Sequence, residues 1–540
     1  MEEFDYAIVG AGSAGSIVAY RLAEAGHKVC VLEAGPVDRN PIIHIPAGFM
    51  KTLFDARVTW QMAHTPSIGT NGRAIQVVQG RTLGGSSSVN GLIYNRGQAD
   101  DFNGWHLLGN RGWGYEDVLP YFRRTERWTG TPDEAYRGRD GRLTITTPEW
   151  PSLISDSFVR AAIDSGIPFN PDSNAARQEG VGRYQSAIAR GWRVSTADAF
   201  LRPAIRKFGI SVKTNCHVSK ILFEGKRATG VAFTAYGGTD IREIRARAGV
   251  IVSAGAVNSP KLLQLSGIGP MHLLQKHGIE VRIDRSGVGE NLRDHFSPRI
   301  VARARSRDGS MNGRERGLRL LAEIGRWMFG RPSILALSPA LIHVFWKSQP
   351  QLANPDFALV FTPASYRRGY IGQLDRFPGV TCGVWPMRPK SAGYVRITSP
   401  DHRVNPETQP NYLAHEEDQA ITVAALKAAR GLLQSAAMQP LIEIETFPGP
   451  QTQTDADWLD FARSEGNSSN HLVGTVKMGP ESDSMAVLDE TLAVRGFNSL
   501  HVIDSSVMPT MPSANTWAST MMIAEKGADM VLAQSRSLLR

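Results

Sequence analysis

The sequence predicts an α/β protein of two domains, with a Rossmann-type nucleotide-binding domain that is discontinuous in the chain. The length of 540 residues exceeds what one hydrophobic core usually serves. A strand–turn–helix–strand pattern occupies residues 5–33, and short apolar runs that suit the same sheet recur at 250–252 and 500–503. Segments from both halves of the sequence therefore contribute to one sheet.

Three glycines, Gly10, Gly12 and Gly15, join the first strand to the first helix. Gly10 permits a tight turn, Gly12 lets the backbone approach a pyrophosphate, and Gly15 allows the helix to pack on the sheet. A pyrophosphate would lie at the positive end of this helix. Glu33 follows Gly15 by 18 residues, where a carboxylate can hold the hydroxyls of an adenosine ribose. The pattern predicts a bound dinucleotide and does not by itself separate FAD from NAD.

Composition excludes several other classes of protein. The net charge of +9 arises from 60 basic and 51 acidic residues that are spread along the chain, so we expect no nucleic-acid partner. The 3 cysteines are far apart and HExxH is absent, so neither a disulfide framework nor a metal site is expected. The most apolar stretch, residues 333–346, is too short for an integral membrane segment. No secretory signal pattern is present, and we expect a cytoplasmic protein.

A change of composition marks the second domain. Residues 297–460 are rich in arginine, proline and aromatic residues and lack a glycine-rich strand-to-helix turn. We assign residues 1–150, 190–296 and 461–540 to the nucleotide-binding domain, and residues 151–189 and 297–460 to a substrate-binding domain. Four residues are candidates for the wall of the substrate pocket, although an aromatic core would account for them equally well: His343, Phe345, Trp346 and Phe361.

Two further segments resemble signatures of the glucose–methanol–choline (GMC) oxidoreductase family. Residues 80–90 form a glycine- and serine-rich turn that is similar to the first signature, and residues 255–269 are similar to the second. Residues 41–48 and 178–180 look similar to bacterial choline- and sorbose-dehydrogenase-like members. The resemblance implies FAD as cofactor and a substrate-binding domain built on an antiparallel sheet.

The resemblance also identifies a catalytic pair. His471 and Asn515 lie in segments that look like the two catalytic segments of the family, 44 residues apart. Alcohol oxidation needs a base for the hydroxyl proton, and histidine, with an unperturbed pKa of about 6.5, suits neutral pH. Asn515 can bond the same oxygen without adding a negative charge. Asn470 and Leu472 depart from the aromatic residue and the proline that flank the histidine in many members, which leaves the substrate class open.

Residues that match the family's cofactor-binding positions come from six parts of the chain. The implied FAD contacts are Gly10, Gly12, Ser13, Ala14, Gly15, Glu33, Ala34, Arg81, Gly84, Gly85, Ser86, Asn90, Gly91, Ile93, Val218, Ala254, Gly255, Asp504, Asn515 and Thr516. Some members attach FAD covalently to a histidine, and Val89 stands at that position here. The resemblance therefore implies a non-covalent flavin.

Four functions are consistent with these residues. The leading hypothesis is an FAD-dependent alcohol dehydrogenase or oxidase, whose partners are a small alcohol and an electron acceptor, either oxygen or a quinone or other acceptor. A hydroxynitrile-lyase-type enzyme would keep the FAD without net redox chemistry. A nicotinamide dehydrogenase is disfavoured because residues 287–292 lack the third glycine of a second dinucleotide motif. A non-catalytic flavoprotein is the fourth.

Overall fold

The computed structural model describes residues 2–235, 237–368 and 372–538, and its largest sheet has seven strands. The strands, in spatial order, are Ser211–Lys213, Val29–Leu32, Glu2–Val9, Ile241–Val252, Arg227–Ala235 and Cys216–Glu224, with Leu500–Val502 paired to the end of Ile241–Val252. The first four and Leu500–Val502 run parallel, whereas Arg227–Ala235 and Cys216–Glu224 are antiparallel to their neighbours. The α/β fold class is confirmed.

The first βαβ unit forms because its strands are apolar on both faces. Every residue of Val29–Leu32 is buried, and so are the last residues of Glu2–Val9. The helix Ser13–Glu24 begins directly after Gly12. Gly10 has φ = 99°, and a Cβ atom there would lie 2.5 Å from the Ser253 carbonyl oxygen of the next parallel strand. Glycine is therefore required at this turn.

The helix Thr516–Leu538 completes the nucleotide-binding domain by packing on Ser13–Glu24. The two helices are joined by Arg21, which bonds Asp529 at 2.9 Å and lies 3.5 Å from Glu525. The discontinuous domain thus contains strands and helices from both halves of the sequence.

The second domain is built on a six-stranded antiparallel sheet. Its strands, in spatial order, are Ile442–Phe447, Arg299–Ala304, Gly379–Pro386, Phe357–Thr362, Ile342–Trp346 and Gly180–Arg183. The helices Leu153–Asp164 and Glu416–Leu433 pack against this sheet. All six strands lie within residues 151–189 and 297–460, and we keep those boundaries as the proposed division.

Smaller elements connect the two sheets. The other α-helices are Pro41–His44, Phe49–Thr52, Ala99–Leu107, Tyr115–Thr125, Arg202–Phe208, Gly255–Leu265, Met271–Lys276, Gly317–Met328 and Asp455–Glu465. The short strands are Thr59–His64 with Ile75–Gly80, Glu126–Trp128 with Leu143–Ile145, Ile188–Ala189 with Trp192–Arg193, Ile268–Gly269 with Ile283–Asp284, Phe296–Ser297 with Asn467–Ser468, and Glu290–Leu292 with Gly393–Arg396 and Glu407–Gln409. Across the described ranges, no helix is both long and apolar enough to cross a bilayer.

Candidate active site

A cavity of about 1010 Å³ lies between the two domains. Its wall includes Gly10 and Gly12 at the turn after the first strand, His471 and Asn515, and one face of the antiparallel sheet. The volume is at the upper end of the roughly 300–1,000 Å³ typical of small-molecule sites. One continuous space therefore joins the predicted nucleotide turn to the predicted catalytic pair.

At the nucleotide end, the predicted glycine-rich segments meet. Gly84 N–H donates to the Ala11 carbonyl at 2.8 Å, which fixes residues 80–90 against the first turn. Gly85 has φ = 53°, and a Cβ atom on it would lie 2.7 Å from Gly12 Cα. A side chain at Gly12 or at Gly85 would fill the space where these two residues approach each other. The two segments thus leave backbone exposed where a pyrophosphate and a flat ring system can approach.

Glu33 directly follows the strand Val29–Leu32 and faces the cavity. Its two carboxylate oxygens accept hydrogen bonds from Ala11 N–H and Gly35 N–H, each at 2.9 Å. Burial raises the pKa of Glu33 to about 7, while these two bonds and the charge of Arg81 act to lower it. Each carboxylate oxygen has a second lone pair, so Glu33 can hold the turn and still accept from ribose hydroxyls.

Most of the predicted FAD residues line this one cavity. Those on its wall are Gly10, Gly12, Ser13, Ala14, Glu33, Ala34, Gly85, Ser86, Asn90, Gly91, Ile93, Val218, Ala254, Gly255, Asp504, Asn515 and Thr516. Asp504 lies at the N-terminal end of the helix Gly255–Leu265. Its Oδ2 accepts from Gly255 N–H at 2.8 Å and from the Ser259 hydroxyl at 2.5 Å.

Three predicted FAD residues lie behind the cavity wall instead. A Cβ atom on Gly15 would meet the Gly10 carbonyl oxygen at 1.9 Å, so this glycine serves helix packing. Gly84 lies in the turn, where a Cβ atom would be 2.3 Å from the Ser88 hydroxyl oxygen. The Arg81 guanidinium donates to the backbone carbonyls of Ala56 and Arg57. These residues shape the site from outside and do not face the cavity.

The backbone of His471 is held by the buried carboxylate of Asp294. Asp294 Oδ1 accepts from His471 N–H at 2.7 Å, and its Oδ2 accepts from the hydroxyls of Tyr412 and Ser468, both at 2.5 Å. Burial raises the pKa of Asp294 to about 6 against these bonds. Asn470, with φ = 60°, uses its side-chain oxygen to accept from Val78 N–H at 2.7 Å. The loop that carries His471 is therefore fixed on both sides.

The His471 ring belongs to a chain of hydrogen bonds in which the donor and the acceptor of each bond can be assigned. His295 Nε2 lies 2.8 Å from the Met387 carbonyl, and His295 Nδ1 lies 2.9 Å from His471 Nδ1. A carbonyl oxygen only accepts, so His295 carries its proton on Nε2 and its Nδ1 accepts from His471 Nδ1. His471 Nε2 is then unprotonated and lies 3.0 Å from Asn515 Nδ2, which donates to it. The contacts thus place a bare basic nitrogen at the cavity.

Burial keeps both histidines of this chain neutral. Burial lowers the pKa of His295 to about 4, and it lowers the pKa of His471 well below its usual value of 6.5, with repulsion from His295 adding to the effect. Trp385 encloses the pair: its ring stacks on His295 at 5.7 Å and meets His471 edge-on at 6.0 Å. A histidine base in this environment is ready to accept a proton throughout the neutral pH range.

The four residues predicted to line the substrate pocket lie elsewhere. His343 and Phe345 belong to the strand Ile342–Trp346, next to the edge strand Gly180–Arg183, and Tyr184 covers both rings at centroid distances of 5.1 and 6.4 Å. Phe361 faces the opposite side of the sheet and stacks on Phe158 at 4.0 Å. Trp346 packs against the same core as Phe361. The structure therefore corrects this expectation, because neighbouring side chains close off these four from the cavity.

The second domain presents other residues to the cavity, which sequence reasoning missed. They come from one face of three adjacent strands: Arg299, Val301, Val360, Thr362, Thr381, Gly383 and Trp385. Asp294 and His295 are also absent from the sequence-based predictions, although they lie just beyond residues 287–292, the incomplete glycine motif. An adjacent carboxylate and imidazole after such a segment is the signal that could have drawn attention to them.

A group of metal-ligand type occurs in the part of the chain that the structure describes. One ligand atom each from Asp38, His44 and Asp198 lies within 4.8 Å of the others. Arg202 bonds both carboxylates, with a distance of 2.5 Å to Asp38 Oδ1. The guanidinium already supplies the positive charge between these acids.

The cavity residues fit FAD in two respects. The Gly12–Gly85 approach is a cradle that side chains would fill. Asn515 Oδ1 and Trp517 Nε1, both in the cavity wall, are buried without a hydrogen-bond partner among the described residues, and such atoms are costly unless a ligand pairs with them. A cavity that joins a dinucleotide cradle to an unprotonated histidine nitrogen fits the class of flavin-dependent oxidoreductases.

Comparison with known proteins identifies the family. Residues 4–297 and 389–524 match the two family models described as GMC oxidoreductase, and the chain belongs to this family of FAD-binding enzymes. It is 37% identical over 536 residues to an oxygen-dependent choline dehydrogenase of Brucella anthropi, covering 99% of this chain and 96% of the relative. It is 35% identical over 530 residues to an alcohol dehydrogenase (acceptor) of Pseudomonas putida, with 98% and 96% covered. The crystal structure of pyridoxine 4-oxidase from Mesorbium loti superimposes with a TM-score of 0.87 at 28% identity, covering 97% of this chain and 98% of the other.

Proposed function

We propose that this enzyme oxidises an alcohol to an aldehyde or ketone, with His471 as the base. The observation that carries the proposal is the directed chain from Met387 through His295, which leaves His471 Nε2 unprotonated at the cavity. When bound, FAD supplies the acceptor for the hydride that leaves the alcohol carbon. The names of the relatives, which are dehydrogenases acting on choline or other alcohols, favour this chemistry over the hydroxynitrile-lyase-type alternative.

The chain's own residues move one proton. An alcohol oxygen that replaces the bond between His471 Nε2 and Asn515 Nδ2 would donate its proton to the histidine and accept a hydrogen bond from the amide. That hydrogen bond strengthens as the oxygen gains negative charge, which stabilises the transition state. The imidazolium that forms on His471 still donates from Nδ1 to His295, because His295 Nδ1 carries no proton and remains an acceptor.

Anaerobic flavin reduction by a panel of alcohols tests the proposal. Bleaching of the flavin shows oxidation, whereas a lyase would turn over without bleaching. His471→Ala should slow bleaching by about 10²–10⁴-fold, the usual effect of a positioned general base. Full bleaching rates in a His471→Ala protein with stoichiometric FAD would refute the assignment. Reoxidation of the reduced protein by oxygen and by a soluble quinone, compared side by side, identifies the electron acceptor.

A further inference from the structure

Arg299 places an unpaired positive charge in the substrate part of the cavity. It lies on the strand Arg299–Ala304 and lines the cavity wall together with Gly383 and Trp385. Within the described ranges, its guanidinium makes neither a hydrogen bond nor an ion pair. Arg299 is exposed, and part of its exposed surface lines the cavity.

Among the described residues of the cavity wall, none bonds the Arg299 guanidinium, although the wall includes the carboxylates of Asp375 and Glu465. Burial lowers the pKa of Arg299, and the Tyr366 phenol acts in the opposite direction. Burial raises the pKa of Tyr366, so this phenol is uncharged at neutral pH, whereas a guanidinium remains protonated. Glu465, another residue of the wall, is bonded to Arg368 at 2.6 Å. Since no described side chain pairs with it, the Arg299 guanidinium can bond a molecule that enters the cavity.

The sheet register sets Arg299 near the catalytic pair. Arg299 lies directly opposite Gly383, and Trp385, which contacts His471, is two residues further along the same face. Two residues along a strand span about 7 Å. Gly383 has no side chain to separate Arg299 from the space in front of Trp385. A small molecule whose hydroxyl reaches His471 can therefore extend its other end to the guanidinium.

We propose that Arg299 binds the carboxylate of an anionic alcohol, so that the substrate is a hydroxy acid. This inference rests on the proposed alcohol oxidation at the same site. A planar guanidinium is suited to two parallel hydrogen bonds with a carboxylate, and the enclosed cavity strengthens them. The quaternary ammonium of choline, the compound named for several relatives, would instead meet a like charge.

Matched substrates test the charge preference. The FAD-loaded protein is mixed anaerobically with 4-(hydroxymethyl)benzoate, with its carboxamide and with its trimethylammonium analogue, and with 4-hydroxybutanoate, 4-hydroxybutanamide and choline. In each series the acid should reduce the flavin most efficiently. Equal or better reduction by the amide or the ammonium compound overturns the Arg299 proposal and leaves the alcohol chemistry standing. Absence of bleaching with every alcohol counts against the proposed function instead.

Substitution of Arg299 provides the second test. In Arg299→Met, the efficiency of reduction by the acid should fall on the order of 10- to 100-fold, as expected for hydrogen bonds to a charged group, while the amide is unaffected. Arg299→Lys should recover part of the loss. The matched control is Arg303→Met on the same strand, where the guanidinium is about half exposed and paired with Glu443. An equal loss for acid and amide, or a loss of bound FAD in Arg299→Met, would overturn the proposal.

A binding measurement needs no turnover, and its first part uses the parent protein alone. The unreactive 4-methylbenzoate should perturb the flavin absorbance of the parent protein at lower concentration than 4-methylbenzamide does. It should lose that advantage in Arg299→Met and keep it in Arg303→Met. No preference for the carboxylate in the parent protein would refute the anion site even if no substrate had been found.

Discussion

Replacement of His295 by alanine should slow flavin reduction without removing the base. The change deletes the acceptor of the His471 Nδ1 proton, which lies 2.9 Å away and is buried. If His471 keeps its tautomer, a buried N–H loses its partner, at a cost of about 1–3 kcal/mol. If it changes tautomer, Nε2 carries the proton and cannot act as a base. The active tautomer should therefore become about 5- to 150-fold less populated, since about 1.4 kcal/mol corresponds to tenfold.

The assay is anaerobic stopped-flow reduction at saturating alcohol over a range of pH. In the parent protein, the low pKa of His471 predicts a rate that is constant at and above pH 6.5 and falls only in more acidic solution. His295→Ala removes the repulsion that lowers this pKa and admits water, so the pKa rises and the fall in rate begins at higher pH. His295→Gln should restore much of the rate, because its amide can donate to Met387 and accept from His471.

The comparison is decisive when the variants retain FAD. His343→Asn is the matched control, since His343 is another buried histidine, with a pKa lowered to about 3, that does not face the cavity. Its rate and pH profile should equal those of the parent. An unchanged rate in His295→Ala, or a His295→Gln protein as slow as His295→Ala, would refute the reasoning about the tautomer.

Three further predictions concern the cofactor and the amide. Acid precipitation should release all the yellow colour into the supernatant, because Val89 offers no atom for a covalent link; colour retained in the pellet would contradict this. Binding of FAD to the apoprotein should tighten as the pH rises towards 7, about tenfold per unit, because ribose hydroxyls favour the ionised form of Glu33, whose pKa is about 7. Glu33→Gln should abolish that dependence in a fluorescence titration, and a persistent slope would assign it to another group. Asn515→Asp should shift the onset of reduction to higher pH, since a carboxylate beside His471 raises the histidine pKa; an unmoved pH profile would count against their contact in the working enzyme.

The nucleotide end of the site could be predicted from the sequence because its signals are local. Gly10, Gly12 and Glu33 belong to one βαβ unit, in which the spacing of residues determines their places in space. His295 could not be found in this way. It reaches His471 across 176 residues of sequence, and the pairing of Phe296–Ser297 with Asn467–Ser468 helps bring the two segments together.

The substrate wall could not be predicted for a different reason. His343 belongs to the correct sheet and to the same row across the strands as Arg299, Gly383 and Val360. Whether a residue of that row meets the cavity depends on Tyr184, which comes from another segment and covers the His343 ring. Composition identifies such a sheet as aromatic and basic, but the covering of one strand by another segment has no signature in sequence.

The contact between Arg21 and Asp529 has a consequence for folding during translation. These residues are 508 positions apart. The face of Ser13–Glu24 that packs on Thr516–Leu538 therefore stays uncovered until Thr516–Leu538 has left the ribosome. At translation speeds of about 5–20 residues per second, the delay is roughly 25–100 s. During that time the opening βαβ unit lacks its covering helix and needs shelter from aggregation. Asn515 immediately precedes the helix Thr516–Leu538, so His471 acquires its amide partner only when this part of the chain has been made and has packed. A chain that stops before residue 515 lacks the catalytic pair.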